Sequence, residues 1–241
     1  DALPILSSCT TPPQFAVLDG SVIPPPRTLS HGSSPLVRDV HSQVLDNFKT
    51  LYRVCGKKGV TLVGAVKDSS SATLVKSLVR TMPHLISKHS RLRKFHEIRY
   101  RSLFAGFSDV EFAHKVLPMN YRTTVFDCNP VNNSISSNGM SGVTSSRPYD
   151  FLEPSSPSAP LHFYATYAKL SQRDFPLRLE FFSNRSIERF AANLDQKLEV
   201  LIALSKLQPS CTLPLPSIQA HLRAKLSPQE FEIFLSDVKR R

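Results

Sequence analysis

Phe15-Ala16-Val17-Leu18-Asp19-Gly20-Ser21 reads as a strand that stops on an acid and turns at once. Four consecutive apolar residues suit a buried strand, Gly20 permits a sharp exit, and Pro24-Pro25-Pro26 prevents a helix from following directly. A carboxylate at the end of a strand, beside a turn, is a position from which a sheet edge can hold a divalent cation. The bland alternative is a plain strand-end Asp-Gly turn.

Outward from this stretch, Leu36, Val37, Val40, Val44, Leu45, Phe48, Leu51, Tyr52 and Cys55 form a helical stripe that ends at Gly56 and Gly59. Val60-Thr61-Leu62-Val63-Gly64-Ala65-Val66 follows, a largely apolar strand that delivers Lys67-Asp68-Ser69 at its C-terminal end. Strand, crossover helix and strand make a βαβ unit whose strands should lie parallel, with Asp19 and Lys67 emerging at the same edge. Sites in such sheets gather at that edge.

The 241 residues suffice for one large α/β domain with a real core, or for two small ones. A formal charge of +11, from 30 Lys and Arg against 19 Asp and Glu, points to a polyanionic partner, because such a surface displaces counterions from phosphate backbones. Simple solubility is the alternative, and an anionic membrane a distant third. Cys9, Cys55, Cys128 and Cys211 show neither CxxC pairing nor zinc-ligand spacing, and Cys55 sits on the apolar helix face as a buried thiol. No apolar run reaches the roughly 18 residues of a membrane span and no signal peptide is visible, so a soluble, cytoplasmic protein is expected. The chain begins at Asp1 without Met, consistent with the later part of a longer protein.

A second helix is predicted from about Ala72 to Leu85. Beyond it lies the most basic segment, carrying Lys88, Arg91, Arg93, Lys94, Arg99 and Arg101 against the single acid Glu97. It is either a face for nucleic acid or a solvated helix and loop surface. Residues 127–160 lose the hydrophobic pattern and read as a flexible Ser/Asn/Pro-rich insertion. His162 to Leu170 and Phe175 to Phe182 then alternate as a β-hairpin, with Phe175, Leu177, Leu179 and Phe181 on one face and Arg178 and Glu180 on the other. Tyr164 and Tyr167 are expected to pack the sheet rather than to stack on bases. Ser186 is placed to cap a long helix to about Lys206. After the extended Leu213-Pro214-Leu215-Pro216, a short helix carries His221, and Ser227-Pro228-Gln229-Glu230 opens a last helix.

There is no GxSxG elbow, HExxH, P-loop or GxGxxG. What remains is an acid and a lysine at adjacent strand ends, a late histidine, and excess positive charge. These are the parts of a metal-dependent phosphodiesterase, in which carboxylates hold divalent cations while Lys or His offsets charge on the transition state.

The ordered series Leu18-Asp19-Gly20-Ser21, Leu62-Val63-Gly64-Ala65-Val66-Lys67-Asp68-Ser69, the hairpin with Phe163-Tyr164 and Arg178-Leu179-Glu180-Phe181, and Pro214-Leu215-Pro216-Ser217-Ile218-Gln219-Ala220-His221 resembles the NurA family of DNA-end-processing nucleases. The resemblance runs over about residues 15 to 235. It implies a single domain with an α/β, RNase H-like mixed sheet flanked by helices, with a C-terminal β-hairpin and helices. It also implies Mn²⁺ or Mg²⁺, action on DNA ends and single strands, a homodimer, and a partner ATPase/helicase of the HerA type. Carried over position by position, Asp19 is similar to the family's later metal-binding aspartate, Lys67 to the lysine that would face substrate phosphate, and His221 to the C-terminal active-site histidine.

Two departures stand against the family pattern. Its first Asp-Gly-Ser motif and an intervening Glu should precede Asp19, yet the 18 residues before Asp19 contain no Glu; and Leu213 stands where an aromatic residue is usual. One carboxylate does not hold a hydrated divalent cation tightly, so the chain alone is expected to be weak or inactive, or to serve as a noncatalytic DNA-binding or assembly module. Asp1, Asp39, Asp68 and Asp127 are the conceivable substitutes. Asp127, following Val125-Phe126, is the best of them, against a loop-capping role.

Overall fold

The computed structural model describes residues 15–23, 35–67, 69–88, 100–128, 162–172, 174–183 and 186–207, with helical positions 218, 219, 229, 232 and 236. The strands are β1 (Phe15–Asp19), β2 (Thr61–Val66), β3 (Phe126–Asp127), β4 (His162–Ala168) and β5 (Leu177–Ser183). The helices are α1 (Pro35–Lys58), α2 (Thr73–Lys88), α3 (Tyr100–Leu103), α4 (Asp109–Val116) and α5 (Ile187–Lys206).

The strands form a five-stranded sheet in the order β1-β2-β5-β4-β3. β1 and β2 pair in parallel with Asp19 opposite Ala65, as the βαβ pattern predicts, and the other three pairings are antiparallel. Residues opposite one another share a face. One face therefore carries Val17, Val63, Ala65, Leu179, Phe181 and Tyr164, packed beneath Leu194, Leu198 and Leu201 of α5. The other carries Leu62 and Phe163 under Leu51 and Cys55 of α1, then Ala165, Tyr167 and Phe126 under Leu74 of α2 and Val110 and Ala113 of α4. Helices on both faces of a mixed sheet make this an α/β protein of RNase H-like type.

Several boundaries differ from the pattern-based expectation. α1 runs through Gly56 and stops only at Gly59, whose φ of 66° is the left-handed conformation that ends helices. Its stripe is only partly buried: Leu36, Val37, Val40 and Val44 are exposed, while Leu51 and Cys55 enter the core. α2 continues through Pro83 to Lys88, although Pro83 has no N–H to give the ladder. Ser186 takes the N-cap position of α5 without a side-chain cap bond. Asp127 does not open the insertion but lies in β3, paired with Tyr164, because the edge of β4 offers it backbone partners. Residues 129–161 lie outside the described residues. Phe175 departs from the hairpin face assigned to it, being 52% exposed ahead of β5 and set against the His114 ring. Tyr164 and Tyr167 are fully buried in the sheet, as expected.

Candidate active site

The turn after β1 is held by Gly64, Glu180 and Tyr52, from three other places in the chain. Gly20 takes φ +127°, a conformation that side chains resist, and its N–H donates to the Ala65 carbonyl at 3.0 Å. The chain then crosses directly over Gly64 of β2. A Cβ at Gly64 would lie 2.7 Å from Val22 N and 2.8 Å from Gly20 O, so only glycine lets the turn descend here. On the far side, Glu180 Oε2 accepts from the Ser21 hydroxyl and, at 3.2 Å, from the Val22 N–H. Tyr52 of α1 closes the turn by donating to the Val22 carbonyl; burial holds its phenol well above the usual range.

Glu180 is one end of a buried polar chain. Its Oε1 accepts from Arg178 Nε at 2.8 Å, and both side chains are almost fully buried. Arg178 Nη1 donates to the Tyr167 hydroxyl at 3.3 Å, and that hydroxyl donates to Asp109 Oδ2, also at 3.3 Å. Ser69, just beyond Lys67, meets the same hydroxyl at 3.2 Å. Asp109 accepts in addition from the N–H groups of Leu74 and Val75, which caps α2. The Cys128 thiol, pushed up to about 12 mainly by burial, accepts from Arg178 Nη2 at 3.5 Å. The two strand-end loops, after β1 and after β2, are thus tied to one network inside the sheet.

The sequence places Arg178 and Glu180 together by alternation, but not in the interior. β5 is central and covered on both faces, so its second face is a core face too. The legible hint is a pair of opposite charges two residues apart in an otherwise apolar strand. α4 was also unforeseen, although Ser108 and Glu111 form a complete capping box at its start.

Asp19 ends β1 with its side chain on the α5 side of the sheet, exposed to solvent. Lys67 is exposed immediately after β2, so the parallel pair delivers both at one end of the sheet. Lys67 lines a cavity of about 480 Å³ with Ser69, Ser70, Glu111 and Asp174. Lys88 is exposed at the end of α2, and Arg101 lies within α3. His221, Arg91, Arg93, Lys94 and Arg99 lie outside the described residues, as do Asp1 and Asp68.

Asp127 cannot assist Asp19. The sheet order puts β1 and β3 at opposite edges, four strand spacings or roughly 19 Å apart. Asp127 is instead 3.9 Å from His162. Asp39 is exposed on α1. Glu180, the nearest acid to the turn in sequence register, faces away from Asp19 and is committed to three donors. Among the described residues no three His, Cys, Asp or Glu side chains group to hold a metal ion. The described residues therefore do not by themselves fit a divalent cation.

A mixed five-stranded sheet flanked by helices places the protein in the RNase H-like α/β class, and its parallel pair brings Asp19 and Lys67 to one end of the sheet. The family model described as the NurA domain matches residues 10–220, and the chain belongs to the NurA family. That family comprises metal-dependent nucleases associated with DNA end processing. No curated protein and no solved structure matched the chain. Among the described residues no helix is long and apolar enough to cross a membrane.

Proposed function

We propose that this chain acts as a single-domain DNA nuclease in the processing of double-strand-break ends, of the 5′-to-3′ exonuclease and single-strand endonuclease type, with Mn²⁺ or Mg²⁺ as its cation. The observation that carries the reading is the delivery of Asp19 and Lys67 at one end of the β1/β2 pair in a NurA-family chain. Asp19 would supply one carboxylate to the cation, and because one carboxylate does not hold a divalent cation tightly, the chain by itself is expected to be weak or inactive. Lys67 sets its ammonium against the scissile phosphate, offsetting charge as it accumulates. His221 contacts the same phosphate, and Lys88, Arg91, Arg93, Lys94, Arg99 and Arg101 hold the DNA backbone. The exposed apolar turns of α1 at Leu36, Val40 and Val44 support a homodimer. A HerA-type ATPase feeds the DNA, and the protein works in the cytoplasm.

Cleavage of single strands and duplex ends in Mn²⁺, compared between the wild type and Asp19→Asn, tests the assignment. The variant is expected to lose cleavage by roughly a hundredfold or more, as removal of a group that acts in the transition state does. Equal cleavage by both proteins would remove Asp19 from the mechanism.

A second reading, a noncatalytic DNA-binding or assembly module with the NurA fold, is favoured by the lack of a metal-ligand cluster among the described residues. It predicts DNA binding with no cation-dependent cleavage by the wild type.

A further inference from the structure

The first half of α2 and the segment between α3 and α4 enclose an open cavity of about 540 Å³, next to the Lys67 cavity and sharing Ser70 and Ser108 with it. Lys76 and Arg80 line one wall. They are four residues apart, so they lie one above the other on the same helix face, and both are exposed. Phe104 and Phe107 line the other wall. Their rings are held in place: Phe104 meets Phe112 edge-on at 5.7 Å between centroids, and Phe107 carries the Lys115 ammonium 4.5 Å from its centroid. Among the described residues the lining contains no carboxylate. The Lys67 cavity differs, because Glu111 and Asp174 line it. Two hydrogen bonds from Ser108 favour the ionised Glu111 carboxylate and hold its pKa below the usual range.

We propose that the cavity between α2 and the α3–α4 segment is a binding site for single-stranded nucleic acid, with phosphates on Lys76 and Arg80 and bases against Phe104 and Phe107. Paired cations on one wall and aromatic rings on the other are the two elements by which proteins hold a single strand without reading its sequence. A duplex does not fit this chemistry, because its base faces are already stacked. The volume lies in the range that accepts a small molecule, which corresponds to one or two nucleotides. The shared Ser70 and Ser108 rim then leads the strand from this cavity toward Lys67 and the sheet edge. The site rests on the reading of the chain as a DNA-processing protein, and adds to it a path for the strand on residues that the family motifs do not include.

Binding of a fluorescent oligothymidylate, about a dozen nucleotides long, is measured by anisotropy with the full chain in EDTA over a range of salt, so that cleavage plays no part. Lys76→Gln/Arg80→Gln is expected to weaken binding by about tenfold and to lower the log–log salt slope by about 1.4, the value for two phosphate contacts to a single strand. Phe107→Leu is expected to weaken binding about fivefold or more with the slope unchanged. Thermal unfolding of each variant, and Lys49→Gln on the exposed side of α1, control for folding and for net charge. Wild-type affinity and slope in both folded variants would overturn the site. If the wild type binds the oligonucleotide and Asp19→Asn still abolishes cleavage in Mn²⁺, such a result leaves the nuclease reading standing. An acidic peptide of matched charge that competes as well as the oligonucleotide would overturn the nucleic-acid assignment. Absence of any oligonucleotide binding by the wild type would overturn the site, while the nuclease reading is decided separately by cleavage in Mn²⁺.

Discussion

Glu180 holds the β1 turn from the opposite face of the sheet to the one on which Asp19 emerges. It accepts from Ser21, Val22 and Arg178, and it reaches the turn only because Gly64 has no side chain in the way. A buried ion pair is weak support for stability when set against an apolar replacement, but removing one partner leaves the other charged and unpaired. Glu180→Ala strands the Arg178 guanidinium and orphans the Ser21 and Val22 donors. It is expected to cost about 3–5 kcal/mol in urea unfolding. Glu180→Gln, which keeps an acceptor in the same place, should cost less. Equal losses for the two would show that the charge on Glu180 contributes nothing to this site.

At the scale of elements, α2 and α4 are locked to one another by their N-termini. Asp109, the first residue of α4, caps α2, and its own N–H donates to the Ser71 carbonyl at 2.8 Å. Ser108 and Glu111 complete the α4 box, with Glu111 Oε2 accepting from Ser108 N at 2.8 Å. Those bonds favour the ionised carboxylate and hold its pKa below the usual glutamate range. A depressed folded-state pKa means that the stabilisation is present above the unfolded value, about 4.3, and is lost as pH falls through the lower folded value. Melting temperatures of wild type and Glu111→Gln should therefore differ at pH 7 and converge as the pH falls past the unfolded value and through the lower folded one. A difference that persists in acid would assign the effect to packing rather than to the charge. α1 shows the opposite economy: its N-terminal turns present Leu36, Val40 and Val44 to solvent, so only its last turns anchor it to the sheet.

For the whole molecule the dominant quantity is charge. A formal +11 distributed over 241 residues makes association with DNA strongly dependent on salt. Affinity for a single-stranded oligonucleotide in EDTA is expected to fall with a log–log slope of several units. A flat salt dependence would exclude backbone contacts as the source of affinity. The sheet order adds a geometric constraint at this scale. β1, with Asp19, is an edge strand, and the acid-bearing β3 is the opposite edge, so no other described strand brings a carboxylate beside Asp19.

The local pattern carried the strand that ends at Asp19, the parallel β1/β2 pair, the β4/β5 hairpin and the apolar stripe of α5. Each of these rests on hydrophobic periodicity within a short window and on glycine and proline punctuation. Ser108 and Glu111 carry the capping box of α4, yet the pattern did not foretell this helix, because it is too short for periodicity to announce. Three things belong to the tertiary structure alone. The burial of Arg178 and Glu180 follows from β5 lying at the centre of the sheet, with helices over both faces. The exclusion of Asp127 from the Asp19 site follows from strand order, which separates residues that a linear reading leaves equivalent. The cavity of Lys76, Arg80, Phe104 and Phe107 arises because packing brings Arg80 and Phe104 to one cavity across the 23 residues of chain between them. Periodicity fixes which way a side chain points within its own element; only packing decides what that element faces.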